Sequence, residues 1–306
     1  MEKKGVLVVG SSNMDLVVTV KRFPDPGETI FGNRFEMFPG GKGANQAVCA
    51  ARLGCKTTFI GKMGNDNFNE KLSQTMIESG VDISNLLVDE KEHTGTALIT
   101  VEGSGQNQII VISGSNMKLT PEDIESKSFL FEETSVVLTQ LEIPIQTVIK
   151  TSKLAKQSDA LLILNPAPAA TLPENLFPLI DFITPNDNEL ESLTGIQIKD
   201  ELSIEKAAKI LLCKGTKNVI VTLGNKGCML INDSVTKQFN VSKVKVVDST
   251  AAGDAFNGAF ASSLAEGHSI DESIEFANKV ASFSVTRMGA QSSMPYLNEI
   301  KNLVSV

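Results

Sequence analysis

The sequence predicts an α/β fold, a doubly wound and mostly parallel β-sheet with helices on both faces, together with a small additional β-sheet. Two observations predict this fold class. Short runs of β-branched residues alternate with longer helical patterns, as in parallel sheets covered by helices. Two segments, 16–38 and 94–112, break the alternation, because each reads as a hairpin with no helix between its strands. We expect a single α/β domain over residues 1–306.

The alternation begins at a strand over residues 6–9, and Gly54 ends the first helix. The other predicted strands cover residues 57–60, 136–141, 160–164, 182–184 and 219–223. The predicted helices cover residues 44–53, 68–79, 145–157, 204–214, 255–266 and 270–285.

The hairpin segments 16–38 and 94–112 are expected to form a small sheet that projects from the main domain. Its inner face would act as a lid over a ligand or as a dimer contact.

Composition excludes several classes of function. The net charge of −8 argues against a basic surface for nucleic acid or an anionic membrane. The apolar start is cut at Gly10, which is too early for a signal peptide, and no stretch is long enough to span a membrane. We therefore expect a cytoplasmic protein without nucleic-acid or membrane partners.

The cysteines and histidines form no recognisable site. The cysteines, Cys49, Cys55, Cys213 and Cys228, lack C-x-x-C spacing and nearby histidines, so buried free thiols are expected. Neither His93 nor His268 stands beside a serine or cysteine nucleophile motif, which argues against a hydrolase triad.

The stretch VDSTAAGD is expected to run from a strand through a turn into a helix. The small residues Ala251, Ala252 and Gly253 would leave backbone N–H groups open at the helix N-terminus, where an anion is favoured. Asp254 beside this anion hole could take the proton of an attacking hydroxyl. The alternative is that Asp254 only complements the helix dipole.

The residues after the first strand, GSSNMD, lack the dinucleotide-binding glycine pattern. Asn13 and Asp15 could offer an amide and a carboxylate to sugar hydroxyls, although an Asx turn explains them equally. The later run PGGKGAN is not a phosphate-binding P-loop, because Gly43 stands where Ser or Thr is needed. Its glycines indicate close backbone approach, and Asn45 on the first helical turn could face the same ligand as Asn13.

Taken together, GSSNMD, PDPGET and FPGGKGANQAVCAARLG resemble the amino-terminal signature of the PfkB carbohydrate kinases, and especially of their ribose-phosphorylating members. VDSTAAGDAFNGAF resembles the second signature of that family. LNPAPA and TPNDNEL are also similar to segments of these kinases. The resemblance covers essentially the whole chain in the expected order.

The resemblance implies which residues meet the sugar and the transferred phosphoryl group. It implies a catalytic base at Asp254 and an anion hole formed by Ala251, Ala252, Gly253 and Asp254. The implied sugar-binding residues are Asn13, Asp15, Gly41, Lys42, Gly43, Asn45, Glu142 and Asp254. Taken alone, Glu142 would be an ordinary charge at a strand end.

The resemblance further implies ATP and Mg²⁺ binding. Asn186 would lie near the phosphates and Glu189 would support Mg²⁺, although the pair is also a capping box. The implied nucleotide-binding residues also include Thr222, Gly224, Lys226, Gly227, Gly253 and Asn278. The segment 222–227 could equally be a tight hairpin turn, and Asn278 could simply be exposed on its helix.

A K⁺ ion next to the anion hole is also implied by the resemblance. The matching positions are Asp248, Thr250, Ser284, Arg287, Gly289 and Ser293. Arg287 could contribute only its carbonyl, because its guanidinium has no acceptor.

The implied activity is phosphorylation of D-ribose by ATP, in a homodimer that pairs through the lid. The alternatives are a family member acting on deoxyribose, fructose or a nucleoside, and a carbohydrate-binding regulator without catalysis. Intact Gly253, Asp254 and Glu189 argue against the regulator. Met14 is expected to crowd the sugar pocket, and a positive φ at Ala251 would be strained.

Overall fold

The computed structural model describes residues 5–302. Its strands are β1 Val6–Val9, β2 Asn13–Val20, β3 Arg34–Gly40, β4 Thr57–Ile60, β5 Lys62–Gly64, β6 Val81–Asp82, β7 Leu87–Asp89, β8 Gly95–Glu102, β9 Asn107–Ile112, β10 Val136–Thr139, β11 Leu161–Leu164, β12 Phe182–Ile183, β13 Asn218–Thr222, β14 Cys228–Ile231 and β15 Thr236–Phe239.

The α-helices are α1 Lys42–Arg52, α2 Asn67–Glu78, α3 Pro121–Glu125, α4 Phe129–Glu132, α5 Ile145–Gln157, α6 Asp187–Thr194, α7 Glu201–Cys213, α8 Ala252–Ala265, α9 Ile270–Ser284 and α10 Leu297–Asn302. Short 3₁₀ helices cover Gly114–Lys118, Glu174–Leu179, Gly224–Lys226 and Gln291–Ser293.

The main sheet has nine strands in the order β15-β14-β13-β12-β11-β10-β1-β4-β6. It is parallel from β6 to β13, and only β14 and β15 at one edge are antiparallel. Strand β1 lies in the middle, and its alternate residues point to opposite faces. Val6 and Val8 pack in a core with α1, α2, α8 and α9, whereas Leu7 and Val9 pack in a core with α5 and α7. The predicted doubly wound fold is confirmed.

The smaller sheet has the order β3-β2-β8-β9. Both predicted hairpins are antiparallel, and they join because β2 pairs in parallel with β8. Strand β2 starts at Asn13, so Asn13 and Asp15 belong to this sheet. The expected small sheet is therefore present, and we call its four strands the lid sheet.

The structure corrects the strand expected before Asp248. Residues 240–247 have no regular structure, and Val244, Val246 and Val247 are exposed. The Val247 and Asp248 N–H groups donate to the carbonyl of Val285 instead of to a neighbouring strand. β-branched composition alone does not make a strand where no partner strand is present.

Two expectations about side chains were wrong. Met14 does not crowd a pocket, because its side chain is fully buried in the core that contains α1. Period-two alternation along β2 turns Met14 away from the side where Asn13 and Asp15 lie. Cys213 is exposed, whereas Cys49, Cys55 and Cys228 are buried free thiols as expected.

No helix in the described range 5–302 is long and apolar enough to cross a membrane.

Candidate active site

The candidate site lies at the carboxyl ends of the central strands. Chain segments that follow β1, β10, β11 and β12 supply Ser11, Gln140, Asn165 and Thr184. Helices α1 and α8 begin above the same edge of the sheet. Ligands of open parallel sheets bind at this edge, because the loops after successive strands meet there.

Asp254 lies on the first turn of α8 and is held by two neighbouring amides of α1. Asn45 Nδ2 donates to its Oδ2 and Gln46 Nε2 to its Oδ1, both at 2.9 Å. The carboxylate is only 6% exposed. Each carboxylate oxygen has further lone pairs, so Asp254 keeps the capacity to accept a ligand proton.

A chain of buried amides continues from Gln46. The other hydrogen of Gln46 Nε2 donates to Asn165 Oδ1 at 3.1 Å, and Gln140 Nε2 donates to Gln46 Oε1 at 2.6 Å. Buried amides with this many partners are fixed in orientation. The catalytic candidate Asp254 is thus attached to the main sheet through Gln46.

A second chain attaches the start of α8 to the sheet. Asn165 Nδ2 donates to the Thr184 carbonyl at 3.3 Å, and Thr184 Oγ1 donates to Asn257 Oδ1 at 2.7 Å. Asn257 Nδ2 donates to the Gly253 carbonyl at 2.8 Å. The side chains of Asn165, Thr184 and Asn257 therefore hold the turn before Asp254 against the main sheet.

The backbone before Asp254 forms an open N-terminus. Ala251 adopts the left-handed conformation, with φ of 59°, and has no side-chain cap. Ala252 N–H donates to the Ser249 carbonyl at 3.3 Å, so it is less open than expected. Within residues 5–302, the N–H groups of Gly253 and Asp254 have no recorded acceptor, and a Cβ at Gly253 would meet no atom within 4 Å. These two groups can bind an anion.

Glu142 lies next to the N-terminus of α1. Its Oε2 accepts from Ser11 Oγ and from Lys42 N–H, the latter at 3.1 Å. Ser11 Oγ in turn accepts from Gly43 N–H at 3.3 Å. The Glu142 carboxylate therefore holds the GGKG turn against the loop after β1. These contacts differ from the alternative interpretation of Glu142 as an ordinary solvated charge at a strand end.

Carboxylates dominate the electrostatics around Asp15 and Lys42. Burial, together with the nearby charges of Glu142 and Asp254, raises the pKa of Asp15 to about 7. Burial of Lys42 works to lower its pKa, but the negative charges of Asp254, Glu142, Glu189 and Asp15 together raise it. Lys42 is consequently charged, and it interacts electrostatically with all four carboxylates.

Glycines let backbone segments approach Asn13 and Asp15. A Cβ at Gly40 would lie 2.4 Å from Asp15 Oδ2. Gly41 has φ of 86°, and a Cβ there would lie 2.6 Å from the backbone nitrogen of Asn13. The glycines of PGGKGAN therefore allow close packing of β3 and α1 against β2.

Asn186 and Glu189 form a complete capping box at the start of α6. Asn186 Oδ1 accepts from Glu189 N–H at 2.8 Å, and Glu189 Oε2 accepts from Asn186 N–H at 2.9 Å. Burial raises the pKa of Glu189. One oxygen of Glu189 remains available to a cation or its water shell, so the two interpretations of the pair are compatible.

The segment 222–227 connects β13 and β14 as a tight antiparallel turn, with Gly224 and Gly227 at positive φ. Asn278 is buried rather than exposed, and its Nδ2 donates to the Phe239 carbonyl at 3.5 Å. It lines a cavity of about 720 Å³ together with Val241, Ser242 and Phe283. This cavity has the size and the apolar walls suited to a planar base.

The residues implied for K⁺ lie around two touching loops. Asp248 accepts from Thr250 N–H at 2.9 Å and from Gly289 N–H at 2.8 Å. Ser284 and Ser293 donate to the carbonyls of Ala281 and Ala290, which leaves their oxygens as acceptors. The guanidinium of Arg287 pairs with Glu299.

This donor set is made of oxygens with a single carboxylate, which suits a monovalent hard cation. Across residues 5–302, no group of three or more His, Cys, Asp or Glu side chains could hold a metal ion.

A buried carboxylate beside open N–H groups, at the carboxyl edge of a parallel sheet, suits phosphoryl transfer to a hydroxyl group. The model of the pfkB family carbohydrate kinases matches residues 3–297. The chain belongs to this family and is a kinase.

The relatives agree in fold and length. The chain is 40% identical over 297 residues to a ribokinase of Haemophilus influenzae, covering 97% of each protein. It is 33% identical to a deoxyribokinase of Salmonella typhi, covering 98% of this chain and 99% of that protein. The structure of Arabidopsis thaliana ribokinase complexed with ribose and ATP aligns with a TM-score of 0.95 at 34% identity, over 99% of both chains.

Sequence reasoning missed Gln46, Asn165 and Gln140 as parts of the site. Gln46 follows Asn45 in the motif GGKGANQA, and this adjacency is the signal that the sequence offers. The other two follow buried strands directly, where polar residues at the carboxyl ends are candidates for a site.

Proposed function

We propose that the chain transfers the γ-phosphoryl group of ATP to the primary hydroxyl of D-ribose, giving ADP and D-ribose 5-phosphate. The observation that carries this proposal is the position of Asp254. Its carboxylate is fixed by Asn45 and Gln46 and stands on the same helix turn as the open Gly253 N–H. A base and an anion hole in one turn are two of the elements that phosphoryl transfer to an alcohol uses.

In the proposed step, Asp254 accepts the proton of the ribose hydroxyl while the oxygen of that hydroxyl forms a bond to the γ-phosphorus. The bond from that phosphorus to the bridging oxygen breaks, and its electron pair leaves on ADP. The N–H groups of Gly253 and Asp254 donate to the oxygens of the transferring group. The charged Lys42 side chain offsets negative charge on the phosphates and on the surrounding acids.

Mg²⁺ and K⁺ are proposed to bind at two different sets of residues. Bound Mg²⁺ would neutralise phosphate charge, with Glu189 and Asn186 beside it. Bound K⁺ would fix the loops that carry Asp248 and Gly289, through Asp248, Thr250, Ser284, Arg287, Gly289 and Ser293.

The sugar is proposed to lie between the lid sheet and the start of α1. Asn13 and Asp15 would bind it from β2, and Asn45 and Glu142 would bind it from the main domain.

The nucleotide is proposed to lie on the other side of Asp254. The turn residues Thr222, Gly224, Lys226 and Gly227 would face its phosphates and ribose. Asn278 would lie beside the base, in the cavity lined by Val241 and Phe283.

The lid sheet is proposed to pair with a second copy of the chain. All of β9 is exposed, including Ile109, Ile110 and Val111. Phe35 and Leu98 on neighbouring strands are exposed as well. An apolar surface of this kind on an edge strand is usually covered by a partner. Pairing would also hold the lid over the sugar and exclude water.

The test is ADP release with a panel that includes ribose, 2-deoxyribose, fructose and nucleosides, each with and without K⁺. The highest kcat/KM is expected for ribose, and removal of K⁺ is expected to lower it. A higher kcat/KM for 2-deoxyribose would support the substrate of the Salmonella relative instead. An absence of turnover on every compound would contradict the kinase assignment itself.

A further inference from the structure

Asn116 is a buried amide that connects the lid sheet to the loop after β1. It lies in the 3₁₀ helix Gly114–Lys118, just after β9, and is 1% exposed. Its contacts are far away in sequence. It binds the backbone of Ser12 and the side chain of Asn13, and nothing in the sequence indicated either contact.

The orientation of the Asn116 amide is determined by the backbone. Ser12 N–H donates to Asn116 Oδ1 at 2.9 Å, and a backbone N–H can only donate. The oxygen of Asn116 must therefore face Ser12 N–H. Its Nδ2 then donates to the Ser12 carbonyl at 3.2 Å and to Asn13 Oδ1 at 2.7 Å.

This arrangement determines the orientation of Asn13 in turn. Both hydrogens of Asn116 Nδ2 are used, so Asn13 must present its oxygen to Asn116. The Nδ2 of Asn13 has no acceptor among residues 5–302. It is not one of the fully buried polar atoms that lack a partner, so a ligand can reach it. A ligand that meets Asn13 therefore meets a donor.

Gly95 leaves the space for this contact. It is the register partner of Asn13 across β2 and β8. A Cβ at Gly95 would lie 2.2 Å from both Asn116 Nδ2 and Asn13 Oδ1. No side chain fits there while the hydrogen bond between the two amides is present.

We infer that Asn116 is a positioning residue that makes Asn13 a hydrogen-bond donor to a sugar oxygen. Asn116 does not itself touch the sugar. Asn13 donates to a sugar oxygen, whereas Asp15, two residues further along β2, accepts from a sugar hydroxyl. The two side chains therefore use the acceptor and the donor capacity of the sugar hydroxyls, respectively. This inference rests on the proposed function, because it assumes that the ligand at Asn13 is the sugar.

The test is the isosteric variant Asn116→Asp. The new carboxylate still accepts from Ser12 N–H but presents an oxygen to Asn13 Oδ1. Asn13 then rotates to donate to residue 116, and its oxygen enters the pocket where its nitrogen stood. We expect the KM for ribose to rise about tenfold, as for the loss of one hydrogen bond to ligand. The kcat and the KM for ATP are expected to stay within about threefold of the unaltered chain.

Asn232→Asp is the matched control. Asn232 Oδ1 also accepts from backbone N–H groups, those of Ser234 and Val235, and its Nδ2 donates to Asn218 Oδ1 at 2.9 Å. Asn218 begins β13, at the end of the sheet opposite the site. This control makes the same chemical change to the same kind of amide pair, and it is expected to leave the KM for ribose unchanged.

A double-mutant cycle separates positioning from a general structural effect. In an Asn13→Ala background, Asn116→Asp is expected to cause no further rise in KM, because its effect acts through Asn13. A KM for ribose within twofold of the unaltered chain in Asn116→Asp would overturn the inference. An equal rise in the presence and absence of Asn13 would overturn it as well.

Two further measurements keep the outcome clear. Asn116→Ala, which frees Asn13 to turn either way, replaces the aspartate variant if thermal melting shows that the latter is unfolded, and it is expected to raise the KM about threefold. Calorimetric titration with ribose measures sugar binding without turnover. No ribose turnover by the unaltered chain would contradict the proposed function, whereas normal turnover with an unchanged KM in the variants would contradict only this inference.

Discussion

The floor of the site and the lid sheet above it are built in opposite ways. In the floor, Asp254, Gln46 and Asn165 are buried, and their polar atoms bind one another at distances of 2.9–3.1 Å. In the lid sheet, every residue of β9 is exposed, and Ile110 is 64% exposed. The network of the floor lies within one chain, whereas the lid sheet leaves an apolar surface exposed.

From this difference we propose different tasks for the two regions. A fixed network of amides holds a base in one orientation, which lowers the reorganisation needed during phosphoryl transfer. A sheet with an uncovered apolar face can change its packing at little internal cost, which suits closure and assembly. Changes in the floor should therefore alter kcat, and changes in the lid should alter association.

Replacing the base should have the largest effect. Asp254→Asn removes the proposed proton acceptor and is expected to lower kcat by about 10³-fold, within the usual range for a general base. Ribose affinity should change little, because the amide has nearly the same size. Coupled ADP release gives kcat, and calorimetric titration gives the affinity.

Asp181→Asn is the control for this variant. Asp181 is also 6% exposed, but it pairs with Lys217 at the opposite end of the sheet. Its variant should keep kcat within about twofold even if melting shows lower stability. Near-normal turnover in Asp254→Asn would remove Asp254 from the mechanism.

Gln46→Glu should have the next largest effect. The new carboxylate stands where an amide donated at 2.9 Å to Asp254 Oδ1, so attraction becomes repulsion and the base is displaced. We expect kcat to fall by about 10- to 100-fold with a smaller change in the KM for ribose. The measurement is steady-state kinetics on protein shown by circular dichroism to be folded. A kcat within twofold of normal would mean that the amide network does not position Asp254.

The sequence predicted the floor less completely than the sheet beneath it. Buried parallel strands such as residues 6–9 are continuous apolar runs, which are visible locally. The pairing of Gln46 with Asp254 joins residues 208 positions apart, and only the folded chain brings them together. The motifs therefore indicated Asn45 and Asp254 but not the amides that fix them.

The error at residues 240–247 has the same physical origin. Val244, Val246 and Val247 have high β propensity, but strand formation depends on a neighbour to supply hydrogen bonds. The position of Met14 between Asn13 and Asp15 predicts crowding of the pocket only when the alternation of side chains along the strand is neglected. Its neighbours face the site, and it faces the core.

Sugar binding between the floor and the lid sheet should depend on pH through Asp15. Burial and the charges of Glu142 and Asp254 raise its pKa to about 7, so it is neutral at lower pH and ionised at higher pH. We expect sugar recognition to use the ionised form, in which both Asp15 oxygens accept hydrogen bonds. The KM for ribose should therefore rise as pH falls below about 7, approaching tenfold per pH unit. KM measured from pH 5.5 to 8.5 tests this, and Asp15→Asn should flatten the profile. A flat profile in the unaltered chain would contradict the assignment.

A change in the lid should affect chemistry least and association most. Ile110→Asp places a charge in the middle of the proposed contact, where burial would cost several kilocalories per mole. We expect the dimer dissociation constant to rise at least about 100-fold in sedimentation velocity, because symmetry introduces the charge twice. The kcat should stay within about threefold, since the network around Asp254 lies within one chain. Ile110→Val, which keeps the surface apolar, should remain dimeric. If the unaltered chain sediments as a monomer at micromolar concentration, the lid is not a dimer contact. If Ile110→Asp lowers kcat as far as Gln46→Glu does, the separation of tasks between floor and lid is wrong.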